Sequence, residues 1–298
     1  MRQVAAVAAK HGLKVPSSPL SKPQCLIKAE RFKTLLKPQL RGHDAKIRKA
    51  HLLPNDHVSP DFPEYKTLGN VQIMHLLSAT LSPHDSKADV EKVLSTLRSQ
   101  GEIPYWIPSG ASIHPLGGLG YARFAFELAH QENELGVFFD TIILPCAAGS
   151  TLAGIITGFK LIQKLTKDSA DEEEEKGRRI IGIDVFANWP EQSRAQILSI
   201  ARNTGSLIGL GDEDIRECDV VVDDRWNGGK YGVLNRETKD AVKMLAGLEG
   251  ILTDPVYTGK AMAALIGKAR KGEFEGSRNV LFVHTGGVPV LSAYPDLM

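Results

Sequence analysis

The sequence predicts an α/β protein built on a mostly parallel sheet with helices on both faces. Three observations predict it. Short apolar runs such as TIIL (141–144), IIGIDV (180–185) and NVLFVHT (279–285) have the composition of strands buried on both faces. Between them stand longer segments whose apolar residues recur at helical spacing. Strand and helix then alternate through the whole second half of the chain. With 298 residues, 42% of them hydrophobic, the chain can fill one large core or two unequal ones.

Taken in order, residues 2–11 (RQVAAVAAKH) are nearly all helix formers. No Ser, Thr, Asp or Asn precedes them to satisfy the first amides, so this helix reads as cut at its start. The stretch 15–55 loses pattern: it holds Pro16, Pro19, Pro23 and Pro38, and nine Lys or Arg between Lys22 and Lys49 against Glu30 and Asp44. It reads as a solvated, poorly ordered insertion. A nucleic-acid-binding arm fits less well, because Phe32 is its one aromatic ring. A misjoined gene segment is the third reading.

Regularity returns at Gly69. GNVQIMHLLSATL (69–81) and Ala88–Gln100 are expected helices, IPYWIP (103–108) a short strand, and Tyr121–Leu135 a helix stopped by Gly136. After the strand at 141–144, LAGIITGFKLIQKL (152–165) is helical, and the acidic run Asp171–Glu175 is a solvated loop before the next strand. A helix around Ser193–Ala201, a strand at 219–224, helices at Asn235–Leu248 and Lys260–Lys271, and the strand at 279–285 complete the pattern.

Charge and composition exclude several functions. Thirty-six basic residues against thirty-five acidic ones leave a formal charge of +1, which suggests no nucleic-acid partner. No apolar stretch approaches the ~20 residues needed to cross a bilayer. Cys25, Cys146 and Cys218 are far apart and form no C-x-x-C pair, so a disulfide scaffold or zinc site is not expected and a reducing, cytoplasmic compartment fits. The amino terminus lacks the layout of a signal peptide.

In open α/β sheets, ligands collect beyond the carboxyl ends of the strands. Two glycine-bearing loops are expected there: Ala147-Ala148-Gly149-Ser150-Thr151, and Thr285-Gly286-Gly287. The first runs into a helix amino terminus, where free N–H groups, hydroxyls and the positive end of the dipole suit a phosphate dianion. It is followed by no Gly-Lys-Ser/Thr and contains no G-x-G-x-x-G. Spacing alone leaves a second reading open, a turn that is glycine-rich only for packing. Tyr257, between a proline and a glycine just before a helix, is either aimed into a cleft or part of a core. His114 and His284 follow no metal-ligand spacing, and Ser150 lacks a G-x-S-x-G elbow. Asp223, Asp224 and Asp254 give no paired-carboxylate signal.

Together, RQVAAVAAKHGLK, EYKTLGNVQIMHLL, HPLGGLGYARFAFEL, PCAAGSTLAG, TDPVYTGKAMAALI and GEFEGSRNVLFVHTGGVPVLSAY occur in one order with one phrasing. The chain resembles the D-cysteine desulfhydrase and 1-aminocyclopropane-1-carboxylate deaminase family over residues 1–14 and about 60–298. The resemblance implies a pyridoxal-phosphate enzyme with the tryptophan-synthase-β type of fold (fold type II), acting on a small amino acid. It makes Ala147, Ala148, Gly149, Ser150 and Thr151 the cup for the cofactor phosphate. Tyr257 becomes the active-site tyrosine and Tyr231 a second tyrosine near the substrate. Thr258 and Thr285 stand where the deaminases resemble one another in having Glu and Leu, and a neutral residue beside the pyridine nitrogen makes the ring a weaker electron sink. That favours D-cysteine desulfhydrase, giving pyruvate, ammonia and hydrogen sulfide. The alternatives are a 1-aminocyclopropane-1-carboxylate deaminase and a non-catalytic binding protein.

The resemblance also implies a Ser-Asn pair just before RQVAAVAA and, upstream of it, the lysine that carries the cofactor covalently. The chain starts inside that helix, so it is expected to be truncated, with an incomplete small domain (1–112) beside a large cofactor-binding domain (113–298). Without the lysine it is expected not to turn over D-cysteine. Apolar edges left by the lost segment would favour aggregation or a homodimer.

Overall fold

The computed structural model describes residues 51–52, 63–77, 79–81, 87–104, 106, 113–114, 116–167, 177–187 and 190–298. The first described part holds strand β1 (His51–Leu52), helix α1 (Asn70–Leu76), strand β2 (Thr80–Leu81) and helix α2 (Lys87–Ser99). Helix α3 (Leu119–Leu135) leads into β3 (Thr141–Cys146), α4 (Ser150–Lys167), β4 (Arg179–Asp184), α5 (Pro190–Ser206) and β5 (Val221–Asp223). Helices α6 (Arg236–Glu249) and α7 (Thr258–Arg270) and strand β6 (Val280–Phe282) follow. β1 and β2 pair in parallel over two residues each, whereas the main sheet has the order β5-β4-β3-β6 with every pairing parallel.

The main sheet is buried on both faces because helices cover both, which is why its strands read as apolar runs. All six residues of β3 are buried. Alternation with a period of two divides its side chains between two cores. Ile142 and Leu144 join Leu152, Ile156, Ile197 and Ala201 under α3, α4 and α5. Ile143 joins Ile181, Ile183 and Phe282 under Ala241, Leu245, Ala261 and Leu265 of α6 and α7. Each large apolar side chain so buried contributes about 1.5–3 kcal/mol. Two glycines set the closeness of α3 to α4. A Cβ on Gly158 would lie 2.3 Å from the Ala122 carbonyl oxygen, and one on Gly154 2.3 Å from that of Gly118.

The strand order contains a reversal that positions the site. The chain steps outward from β3 to β4 to β5, then returns through α6 and α7 to place β6 on the other side of β3. Loops leaving β3 and β6 therefore diverge, and a crevice opens between their carboxyl ends. Pro145 fits this geometry. The Ile143 carbonyl accepts from Val283 on the β6 side, and the Cys146 carbonyl from Val185 on the β4 side. Residue 145 thus faces β6, whose register with β3 ends at Ile143–Phe282, so the missing proline N–H breaks no ladder bond.

The α/β class and the helix-flanked parallel sheet agree with the sequence-based expectation, and most boundaries fall within a few residues of it. The helix expected over 69–81 instead ends at Leu76, and Thr80–Leu81 become β2, paired with His51–Leu52 inside the patternless stretch. Ile103, Pro104 and Trp106 lie in no strand, and the rest of the segment expected as a strand lies outside the described residues. So do the helix expected at 2–11 and the acidic run at 171–175. No described helix is long and apolar enough to cross a membrane.

Candidate cofactor and substrate site

A cavity of about 300 Å³ sits at the crevice between β3 and β6. Its wall is the run from Pro145 to Leu152 on one side and Thr285, Gly286 and Gly287 on the other, with Tyr257 between them. The structure thus brings Ala147 through Thr151, Thr285 and Tyr257 to one place, as the sequence reading expects. Ser150 is the first residue of α4, so the cup is the helix amino terminus itself, where backbone N–H groups lack intrahelical partners.

Local backbone makes the cup. Gly149 has φ +96°, and a Cβ there would lie 2.6 Å from Cγ1 of Ile197 on α5. Only glycine meets both demands without strain. Gln196 Nε2 donates to the Ala148 carbonyl oxygen at 2.9 Å, tying the turn to α5. On the opposite wall Gly286 and Gly287 have φ +112° and +100°. His284 holds that turn: Nδ1 accepts from the Gly286 N–H at 3.1 Å, which leaves Nε2 as the donor to the Leu252 carbonyl at 2.8 Å. Its role is structural, as its lack of metal-ligand spacing suggests. Among the described residues no carboxylate lines the cavity. A helix amino terminus, a glycine cradle that a side chain would fill and an acid-free wall together fit a phosphate dianion.

The other half of the site is built from side chains. Tyr257 immediately precedes α7, and Asp254 fixes it there. The Asp254 carboxylate accepts from the N–H groups of Val256, Tyr257 and Thr258 at 2.7–2.8 Å, and from the Thr258 hydroxyl at 2.6 Å. Thr258 is fully buried behind the wall, its hydroxyl committed to that carboxylate and 3.3 Å from the Gly286 carbonyl oxygen. Tyr231 comes from the loop between β5 and α6, and its hydroxyl shares a short hydrogen bond with that of Tyr257. Their rings meet edge to face at 5.9 Å, and Phe186 packs on Tyr231 at 4.8 Å.

Burial raises the pKa of both phenols. Either hydroxyl can be the donor of the bond between them. Tyr257 is the one on the cavity wall. A neutral phenol there can orient a substrate carboxylate or hold and pass a proton.

Several supporting residues escaped the sequence reading: Gln196, Asp184, Asn227 and Lys260. Each acts across a long sequence separation, so no local spacing marks it. Asp254 had a signal: Asp before Pro255 favours a turn in which its carboxylate accepts from the N–H two residues on, here that of Val256. Among the described residues no group of His, Cys, Asp or Glu could hold a metal ion.

A glycine cradle at a helix amino terminus and a strand-order reversal, with a phenol on its wall, is the form of an α/β protein that takes a phosphorylated cofactor. The chain belongs to the pyridoxal-phosphate-dependent enzyme family, whose model matches residues 46–286. It is 42% identical over 252 residues to the 1-aminocyclopropane-1-carboxylate deaminase of Burkholderia multivorans, covering 83% of this chain and 70% of that one. The enzyme of the same name from Burkholderia cenocepacia is 43% identical over the same shares. A solved structure of a deaminase homologue superposes with a TM-score of 0.66 at 27% identity, over 84% of this chain and 70% of that one. The fold is therefore fold type II and the cofactor is pyridoxal phosphate. When bound, the cofactor supplies an electron-withdrawing ring that draws charge from the substrate α-carbon. Of this chain's own residues, Ala147–Thr151 would hold its phosphate, with Thr285–Gly287 on the facing wall and Tyr257 between them.

Proposed function

We propose that this chain carries the cofactor and substrate site of a deaminase acting on 1-aminocyclopropane-1-carboxylate, releasing ammonia and a four-carbon 2-oxo acid. The observation that carries the reading is the meeting of the cup with Tyr257, itself hydrogen-bonded to Tyr231, in one crevice, in a chain with 42–43% identity to deaminases of that name. In this reading Tyr257 is the catalytic phenol, Tyr231 its partner, and residues 113–298 the cofactor-binding domain.

A second reading, D-cysteine desulfhydrase, is favoured by one pair of positions. Thr258 and Thr285 are neutral and small, and the Thr258 hydroxyl is already engaged by Asp254. Neither position supplies a carboxylate of its own to keep a pyridine nitrogen protonated, and a weaker electron sink suits loss of a β-thiol better than opening a three-membered ring.

The test incubates the full chain with pyridoxal phosphate and each substrate, scoring ammonia with the 2-oxo acid against sulfide with pyruvate. Dominant product from the cyclopropane substrate is the expected result, and dominant sulfide moves the assignment to the second reading. Cofactor uptake with neither product returns the chain to a non-catalytic binding role. Where turnover is found, Thr258→Glu with Thr285→Leu is expected to raise the ratio of cyclopropane to D-cysteine turnover by about 10-fold or more. An unchanged ratio with cofactor still bound would sink the two-position account.

A further inference from the structure

Tyr231 ends a loop that should not hold still by itself. Gly228, Gly229 and Gly232 have φ of +74°, +80° and +75°, and such a run loses much backbone entropy when ordered. A phenol meant to stay in hydrogen-bonding register with Tyr257 needs that loop fixed from outside.

Lys260 supplies the fixing contact. It lies three residues past Tyr257, on the same side of the first turn of α7. Its side chain is fully buried, at 0% exposure. Its Nζ donates to the Asn227 carbonyl oxygen through a short hydrogen bond and to that of Lys230 at 3.3 Å. The two carbonyls bracket the glycine pair and end one residue before Tyr231. Further bonds hold the loop at its flanks. Asn227 Nδ2 donates to Asp184 at 3.2 Å, and the Tyr294 hydroxyl donates to the Gly232 carbonyl at 2.7 Å.

We propose that Lys260 is a positioning residue: by clamping the Asn227 and Lys230 carbonyls it sets the Tyr231 phenol against Tyr257. One turn of helix thus carries both the wall tyrosine and the clamp for that tyrosine's partner. A charge-assisted bond to a carbonyl is roughly twice as strong as a neutral one, so the clamp depends on the ammonium form. That form is only marginally held. Burial pulls the Lys260 pKa from 10.5 down to about 8, against the opposing pull of Asp184 and Asp254. The two phenols it serves stay neutral through that range, because burial raises both Tyr231 and Tyr257 above the usual phenol value. The buried face of α6 toward α7 carries Thr238, Ala241, Val242 and Leu245, none of which titrates. The clamp therefore tightens as pH falls below about 8 and slackens as pH rises through it.

The catalytic consequence rests on the proposed role of the tyrosine pair, so the deciding measurement is independent of turnover. Amide hydrogen exchange of the full chain reports on Gly229, whose N–H donates to Asn227 Oδ1 at 2.8 Å, and on Val233, whose N–H donates to the Lys230 carbonyl at 3.3 Å. After correction for intrinsic rates, protection at these amides is expected to fall about 10-fold between pH 7 and pH 9 in the unaltered chain. Lys260→Met is expected to show the low value at both pH values, and Lys260→Gln an intermediate one. Cofactor affinity should be unchanged. Protection independent of pH, or unaltered in the methionine variant, overturns the clamp. If Lys260→Met does not fold, the pH series on the unaltered chain decides alone. A lost clamp should lower kcat more than it raises KM. Loss of protection with unchanged turnover keeps the clamp and counts against the catalytic role given to the tyrosine pair.

Discussion

The two halves of the site are made by different physics. The proposed phosphate cup is backbone: Gly149 at positive φ, the first N–H groups of α4 and a turn pinned by Gln196. The phenol half is side chain on side chain. Tyr231 and Tyr257 are 26 residues apart and meet only because Asp254, Lys260 and Tyr294 hold their supports. The cup should therefore be sensitive to backbone substitution and tolerant of polar truncation, and the phenol half the reverse.

The largest expected effect breaks the cup. Gly149→Val places a β-branched side chain at φ +96° and drives a Cβ to 2.6 Å from Ile197. Strain of this kind costs of order 1–3 kcal/mol before the clash is added, so pyridoxal-phosphate affinity should fall about 100-fold or more. Thr151→Ala should cost only a few-fold, because one hydroxyl is one contact among several. Absorbance titration with the cofactor measures both. Equal losses in the two variants would mean that side chains, not backbone, make the cup.

Next in size is the phenol half. Tyr257→Phe keeps the ring and removes the hydroxyl that lines the cavity, so kcat should fall about 100-fold while cofactor affinity stays within two-fold or so. Tyr231→Phe should cost less, about 10-fold, because its hydroxyl acts on Tyr257 rather than at the cavity wall. If Tyr231→Phe proves the more damaging, Tyr231 rather than Tyr257 is the phenol that acts on the substrate.

This contrast also explains what could be read from the sequence. The cup was legible because backbone chemistry is local: PCAAGST after an apolar run already specifies a strand, a small-residue turn and a helix start. The strand-order reversal was not legible, since it depends on β6 pairing with β3 across 138 intervening positions of register from Ile142 to Leu281, which no spacing encodes. Tyr257 could be suspected from its place before a helix, whereas its pairing with Tyr231 rested on resemblance alone. Lys260 was read only as the start of a helix. Its burial contradicts the usual surface habit of lysine, and nothing nearby in the sequence announces the carbonyls that receive it. The end of α1 was missed for a related reason. Residues 77–81 continue the apolar pattern, but Thr80 and Leu81 pair with a strand nearly thirty residues upstream.

The smallest expected effect tests how far the phenol half extends. The loop bearing Tyr231 is tied at its other end by ions. Asp223 accepts from Arg225 at 2.6 Å and from Lys268 at 2.7 Å, and Glu273 accepts from the same two cations at 3.0 Å and 2.6 Å. Hydrogen bonds from Arg225 and then Lys268 bring the Glu273 pKa from 4.5 down to about 2. A carboxylate lowered on folding contributes stability that is present above its unfolded value and lost as pH falls through its folded one. Glu273→Gln should therefore lower Tm by a few degrees at pH 7, with the gap narrowing below pH 4.5 and closing near pH 2. Cofactor affinity should not move, since the cup shares no residue with this network. A change in the exchange of Gly229 or Val233 in the same variant would extend the clamp outward to the ion cluster. Unchanged exchange would confine the support of Tyr231 to Lys260 and its immediate neighbours.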